Sequence, residues 1–200
     1  IESVKVAIQE NTRLIYFESI ANPTMKVADM NALVEVARQH EVLTVCDNTF
    51  ASPCVIRPLE WGVDLVVESA TKFISGHSDV IGGAICMKSK VLPADFLEQI
   101  RWDTMVKWGS PLAPFNAWLL LRSLQTLSVR VERQCQSAMK LANHFAQHEK
   151  VNRVWYPGLK NHPQYHYSSE YFGNFGGLLS FSLKHKSPAE FLDKLELIVT

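Results

Sequence analysis

Short apolar, β-branched runs alternate with amphipathic segments through residues 1–100, and this alternation limits the fold more than any other feature of the chain. Arg13-Leu14-Ile15-Tyr16-Phe17-Glu18 reads as a buried strand. Asn22-Pro23 follows as a turn, because proline disfavours helix in the residue before it. Asp29 is placed to cap a helix whose Met30, Leu33, Val34 and Ala37 recur at helical spacing, with Asn31, Glu35 and Arg38 on its polar face. Val42-Leu43-Thr44-Val45-Cys46, Asp64-Leu65-Val66-Val67 and Gly83-Ala84-Ile85-Cys86-Met87 read as three further strands. Continuous apolar strands separated by helices predict an α/β fold with a mostly parallel sheet covered by helices on both faces.

Beyond Pro93 the pattern becomes helical, first over Asp95 to Trp102 and then along one long segment from Phe115 to Gln147. Val151 to Tyr156 and Gly177 to Leu183 read as strands, and Pro188 to Leu197 as a helix opened by Ser187. The expected division is residues 1–135 in a large domain and 136–200 at the start of a small α+β domain.

The chain carries 20 Lys plus Arg against 20 Asp plus Glu, so it lacks the positive field that draws a protein to nucleic acid or to an anionic membrane. No apolar run approaches the length that spans a bilayer. Cys46, Cys54, Cys86 and Cys135 form no Cys-x-x-Cys pair, which argues against a zinc knuckle or a disulfide scaffold. A reducing, cytoplasmic setting is expected, with a small molecule as partner and no metal. The absence of an initiator Met, and an end at Val199-Thr200 just after an apolar stretch, suggest a piece of a longer protein.

Ligands of open α/β sheets bind beyond the carboxyl ends of the strands. There the sequence sets Glu18 and Asn22, then Asp47-Asn48-Thr49, then Glu68-Ser69-Ala70-Thr71-Lys72, then Gly76-His77-Ser78-Asp79. A carboxylate, a lysine and two hydroxyls at adjacent strand ends suit a phosphorylated, nitrogen-containing aromatic cofactor. The lysine offers an amine for a Schiff base and the acid a partner for a pyridinium nitrogen, which are the demands of pyridoxal phosphate.

Asp47-Asn48-Thr49-Phe50, Ser69-Ala70-Thr71-Lys72 and Gly76-His77-Ser78-Asp79 together resemble the Cys/Met-metabolism family of pyridoxal-phosphate enzymes. These are the trans-sulfuration enzymes: cystathionine γ-synthase, cystathionine lyases, methionine γ-lyase and O-acylhomoserine sulfhydrylases. Glu18-Ser19-Ile20-Ala21-Asn22-Pro23, Leu119-Leu120-Leu121-Arg122, Tyr156-Pro157-Gly158-Leu159 and Phe175-Gly176-Gly177 extend the likeness over essentially the whole chain.

The resemblance implies a fold-type I pyridoxal 5'-phosphate enzyme that eliminates or replaces at Cγ, or Cβ, of sulfur-containing or O-acylated amino acids. Lys72 is then the Schiff-base lysine and proton shuttle, and Asp47 the partner of the pyridine nitrogen. Ser69 and Thr71 are expected to bond the phosphate, Asn22 the phenolic oxygen, and Thr49 to line the ring face. It also implies a homotetramer with sites shared between subunits. The resemblance implies that the family's ring-stacking Tyr, its Gly-containing phosphate loop, and a Tyr and Arg lent by a neighbour lie upstream of residue 1, and that the Arg that grips the substrate carboxylate lies beyond Thr200. The expectation is the covalent centre without the complete site.

Trp108-Gly109-Ser110-Pro111 with Phe115 is similar to the lyase and sulfhydrylase branches and favours γ-chemistry. Cystathionine β-lyase chemistry, an aminotransferase and an inactive oligomeric homologue are the rivals. The Asp-Asn-Thr and Gly-His-Ser-Asp stretches weigh against an aminotransferase, and the intact Lys72, Asp47, Ser69 and Thr71 set against decay. The bland readings make Lys72 a solvated charge, Asp47 a turn former, and Ser69 and Thr71 donors to local backbone. His144 with His148, and His162 with His166, are spaced four apart but lack the Glu of a zincin, so solvent-facing histidines are expected.

Overall fold

The structure, a computed structural model, describes residues 1–88, 92–93, 95–184 and 187–197. In chain order the elements are α1 (Glu2–Ala7), β1 (Leu14–Glu18), α2 (Met30–Gln39), β2 (Leu43–Asp47), β3 (Leu65–Ser69), β4 (Gly83–Met87) and α3 (Phe96–Ile100). They continue with α4 (Pro114–Leu124), α5 (Leu127–Gln147), β5 (Val151–Trp155), α6 (Tyr165–Tyr171), β6 (Ser180–Leu183) and α7 (Pro188–Leu192).

The main sheet has the order β1-β2-β3-β4. β1, β2 and β3 run parallel, with Glu18 opposite Asp47 and Asp47 opposite Val67, whereas β4 returns antiparallel, with Gly83 opposite Ser69. All three parallel strands therefore deliver their carboxyl ends to one edge.

Helix α2 forms where its apolar spacing predicts. Asp29 caps it by accepting from the Ala32 N–H at 3.1 Å, and Met30, Leu33, Val34, Val36 and Ala37 are buried. Val34 packs with Cys46, Val63 and Val66 on one face of the sheet. On the opposite face Leu14 and Tyr16 stay exposed.

The segment expected as one helix from Phe115 to Gln147 is two, broken at Gln125-Thr126. Thr126 Oγ1 donates to the Ser123 carbonyl, a local bond that competes with helix propagation. In α5 the buried positions Leu127, Val131, Cys135, Ala138 and Ala142 form one stripe, but they serve two cores. Leu127, Val131 and Cys135 pack with Ile20, Met30, Ala70 and Ile74, while Ala138 and Ala142 pack with Tyr156 and Leu159. The expected division at residue 135 thus falls inside α5, where the helix passes from one core to the other.

β5 and β6 pair antiparallel in a separate two-stranded sheet. Ser187 caps α7 by accepting from the Glu190 N–H, and the helix ends at Leu192, short of the expected Leu197. Among the described residues no helix is long and apolar enough to cross a membrane. No group of three or more His, Cys, Asp or Glu is arranged to hold a metal among them. His162, expected to face solvent, is 7% exposed, and its Nδ1 accepts from the Gln164 N–H at 3.2 Å. Burial holds its imidazole below the usual range.

Candidate active site

The site grows from the carboxyl edge of β1, β2 and β3. The ladder continues past the strand ends, with Ser19 N–H donating to Asp47 O at 3.0 Å and Asn48 N–H to Val67 O at 2.9 Å. The residues leaving each strand are therefore fixed relative to one another.

Asp47 closes β2 with both carboxylate oxygens engaged. Oδ1 accepts from the Thr49 N–H at 3.0 Å, and Oδ2 accepts from the Tyr16 hydroxyl at 2.9 Å. Tyr16 lies two positions before the end of β1, on the sheet face that carries Asp47, and is 55% exposed. Partial burial of its hydroxyl, with the Asp47 carboxylate beside it, pushes the phenol up to about 12. Thr49 Oγ1 accepts from the Ser69 N–H at 2.8 Å, which joins the ends of β2 and β3.

Thr71 turns toward β4. Its hydroxyl accepts from the Gly82 N–H at 3.0 Å and donates to the Gly82 carbonyl at 3.2 Å, so the local-backbone reading describes what this side chain does here. Ser69 Oγ makes no hydrogen bond among the described residues.

Lys72 is exposed and lines an open cavity of about 820 Å³ with Asn22, Phe50, Thr71, Ser78 and Asp79. Among the described residues its Nζ makes no hydrogen bond and no ion pair. Asn22 is held by its own N–H, which donates to Glu18 Oε2 at 3.2 Å. The structure thus brings Asn22, Thr71 and Lys72 to one cavity. Asp47, Thr49 and Ser69 form a hydrogen-bonded cluster at the strand ends and are not part of that cavity's wall.

Behind the cluster lies a polar network that motif reading missed. Ser19 Oγ donates to Asn48 Oδ1 at 2.8 Å, and Asn48 Nδ2 donates to Glu68 Oε1 at 2.9 Å and to the Ile56 carbonyl at 3.0 Å. Glu68 is 6% exposed. Burial pushes its carboxyl up to about 7, the Asn48 hydrogen bond opposes the rise, and the neighbouring Asp47 charge adds to it. The available signal was the strand alternation, which puts Glu68 on the face of buried Val66 and opposite Val67 and Ser69.

The family model described as Cys/Met metabolism PLP-dependent enzyme matches residues 1–200. The chain belongs to this family of pyridoxal-phosphate enzymes. It is 42% identical over 181 residues to a cystathionine beta-lyase of Coxiella burnetii, covering 90% of this chain and 46% of the relative. It is 42% identical over 183 residues to a probable cystathionine gamma-synthase of Herpetosiphon aurantiacus, covering 92% and 56%. An L-methionine gamma-lyase of Fusobacterium nucleatum is 40% identical over 185 residues, 92% of this chain and 46% of that protein. The chain spans about half the length of these curated relatives. The solved structure of cystathionine gamma-lyase from Lactobacillus plantarum, complexed with L-serine, superimposes with a TM-score of 0.93 at 35% identity, over 100% of this chain and 51% of that one.

The residues present fit pyridoxal phosphate. Lys72, whose amine has no partner among the described residues, faces a cavity of about 820 Å³, within the range of roughly 300–1,000 Å³ that holds small cofactors, and the Asp47 carboxylate and the Ser69 hydroxyl, the latter unbonded among the described residues, stand at the adjoining strand ends.

Proposed function

We propose that the protein is a trans-sulfuration enzyme acting at Cγ, or at Cβ, of small sulfur-containing or O-acylated amino acids, and that residues 1–200 supply its covalent centre. The observation that carries this reading is Lys72, whose amine stands without a partner among the described residues in a cavity it shares with Asn22.

When bound, pyridoxal phosphate supplies an electron sink for negative charge developing at substrate Cα. Lys72 Nζ would hold the group covalently and, when free, would be the base for the Cα proton. In γ-chemistry the same Nζ would pass that first proton on to the cofactor C4′ and would then be free to take the second, from Cβ. Asp47, already accepting from Tyr16 and Thr49, would keep a proton on the pyridine nitrogen through a charge-assisted hydrogen bond. Asn22 would bond the phenolic oxygen and Thr49 would line the ring face. Ser69 is the freer donor to the phosphate, because Thr71 donates there only by releasing the Gly82 carbonyl. The division into a large domain over 1–135 and a small one from 136 is supported by the change of core along α5. A homotetramer with shared sites is supported by the exposed Tyr16, Trp108 and Phe115. A cytoplasmic setting is supported by four unpaired cysteines, Cys86 among them exposed.

Borohydride reduction of the purified protein with pyridoxal phosphate, followed by peptide mapping, is expected to fix the label on Lys72. A label on another lysine sinks the reading. β-Elimination is the second reading, favoured by the 42% identity to a cystathionine beta-lyase. Ketoacid and thiol release by the full-length enzyme from methionine, cystathionine and an O-acylhomoserine separates the branches, and no release from any of them by the full-length enzyme with Lys72 labelled identifies an inactive homologue.

A further inference from the structure

Arg130 stands on the first turn of α5, fifty-seven positions from Phe73, yet its guanidinium is spent on the turn that carries Lys72. Nη1 donates to the Phe73 carbonyl at 2.9 Å and Nη2 to the Ile74 carbonyl at 3.2 Å. The remaining donors tie the same group to the break between α4 and α5, with Nη2 to the Ser123 carbonyl at 3.0 Å and Nε to Thr126 Oγ1 at 3.1 Å. None of the four acceptors is a carboxylate, and Arg130 makes no ion pair among the described residues.

Phe73 and Ile74 are the two residues after Lys72. The chain from Ala70 to Gly76 is a short helical turn, closed by Ser75 N–H to Ala70 O and Gly76 N–H to Lys72 O, both at 2.8 Å. Its last carbonyls have no acceptor role left inside the turn, and a cation is favoured at such an end. The turn stops at Gly76 with φ of +67°, in the left-handed region. A Cβ there would overlap the Arg130 guanidinium, with Cζ only 2.7 Å away, so glycine is what admits the arginine.

We propose that Arg130 is a positioning residue for Lys72: by gripping the Phe73 and Ile74 carbonyls it fixes the turn from which the amine reaches into the cavity. Only a planar fork of donors spans these separated acceptors, and a lysine ammonium presents all its protons from one nitrogen. The proposal rests on the reading of Lys72 as the covalent lysine.

The test uses the full-length protein with pyridoxal phosphate, and compares Arg130→Lys with wild type. The readouts are melting temperature, the pH midpoint of the visible absorbance of bound cofactor, the borohydride-trapped site, and kcat against KM. Arg130→Lys is expected to keep the label on Lys72, shift the absorbance midpoint by about half a pH unit or more, and lower kcat on the order of ten- to a hundred-fold with KM little changed. A lowered melting temperature with an unmoved midpoint and normal kcat makes Arg130 a packing residue and overturns the proposal. Should Arg130→Lys not fold, Thr126→Val, which removes the acceptor of Nε together with the hydroxyl's own bond to the Ser123 carbonyl, is expected to shift the same midpoint in the same direction, and an unmoved midpoint overturns the proposal. Absence of label on Lys72 in the wild type overturns both the Lys72 reading and this one, whereas an unmoved midpoint with Lys72 labelled removes this one alone.

Discussion

Asp47→Asn is expected to leave the protein folded and able to hold pyridoxal phosphate, and to lower turnover on the order of 10²–10³-fold, the scale of losing one preorganised electrostatic partner of a developing charge. The asparagine is isosteric. Its Oδ1 still accepts from the Thr49 N–H, and its amide donates to the Tyr16 oxygen once that hydroxyl rotates away, so both present bonds have replacements. What the amide cannot replace is the negative charge that, in the role proposed for Asp47, would keep the pyridine nitrogen protonated. Tyr16→Phe is the control, since it removes one donor to Asp47 and leaves the charge. Turnover, cofactor stoichiometry and melting temperature are measured together. Near-normal turnover of Asp47→Asn at full cofactor content would remove Asp47 from the chemistry.

Glu68→Gln is expected to stabilise the protein at pH 8 and to change little at pH 5. The buried carboxyl titrates at about 7 in the folded chain against an ordinary value of 4.5. A folded value raised in this way favours the protonated form, so the associated stability is fully present below pH 4.5 and is lost as pH rises through 7. The difference corresponds to at most about 3 kcal/mol. The neighbouring charge of Asp47 on β2 works in the same direction as burial, while Asn48 works against it. The thiols Cys46 and Cys54, both also pushed up chiefly by burial, feel the Glu68 charge from their side. The glutamine side chain would retain an acceptor for Asn48 Nδ2 and carry no charge to bury. Denaturant unfolding of both proteins between pH 5 and pH 8 tests this, and parallel stability curves would show that Glu68 does not titrate there.

The parts of this molecule that could be read from sequence are those set by local spacing. The stripe of α2 and its Asp29 cap, and the strand runs that deliver Asp47 and Ser69 to one edge, follow from periodicity and capping alone. The features that escaped reading depend on distant chain. Arg130 announces nothing in its own helix, because its acceptors lie beyond Lys72. The break before α5 has neither glycine nor proline to mark it, and comes from the Thr126 hydroxyl and its neighbours. Thr71, legible as a hydroxyl beside a lysine, proved to be occupied by Gly82, whose approach is fixed by the antiparallel return of β4. Glu68 was legible in principle, since a charged residue on the buried face of a strand calls for a partner, and Asn48 is that partner.

Helix α5 is one uninterrupted rod of 21 residues, and its two halves insert into different cores. A crack between those cores would have to break backbone hydrogen bonds between Cys135 and Ala138 that are shielded on the buried side. The two regions are therefore coupled in melting: calorimetry is expected to give a single endotherm, and the amides from Val131 to Ala142 are expected to exchange hydrogen only through global opening. Two resolved endotherms, or faster exchange near Cys135 than at the flanking turns, would mean that the rod yields at its centre and that the halves melt as separate bodies.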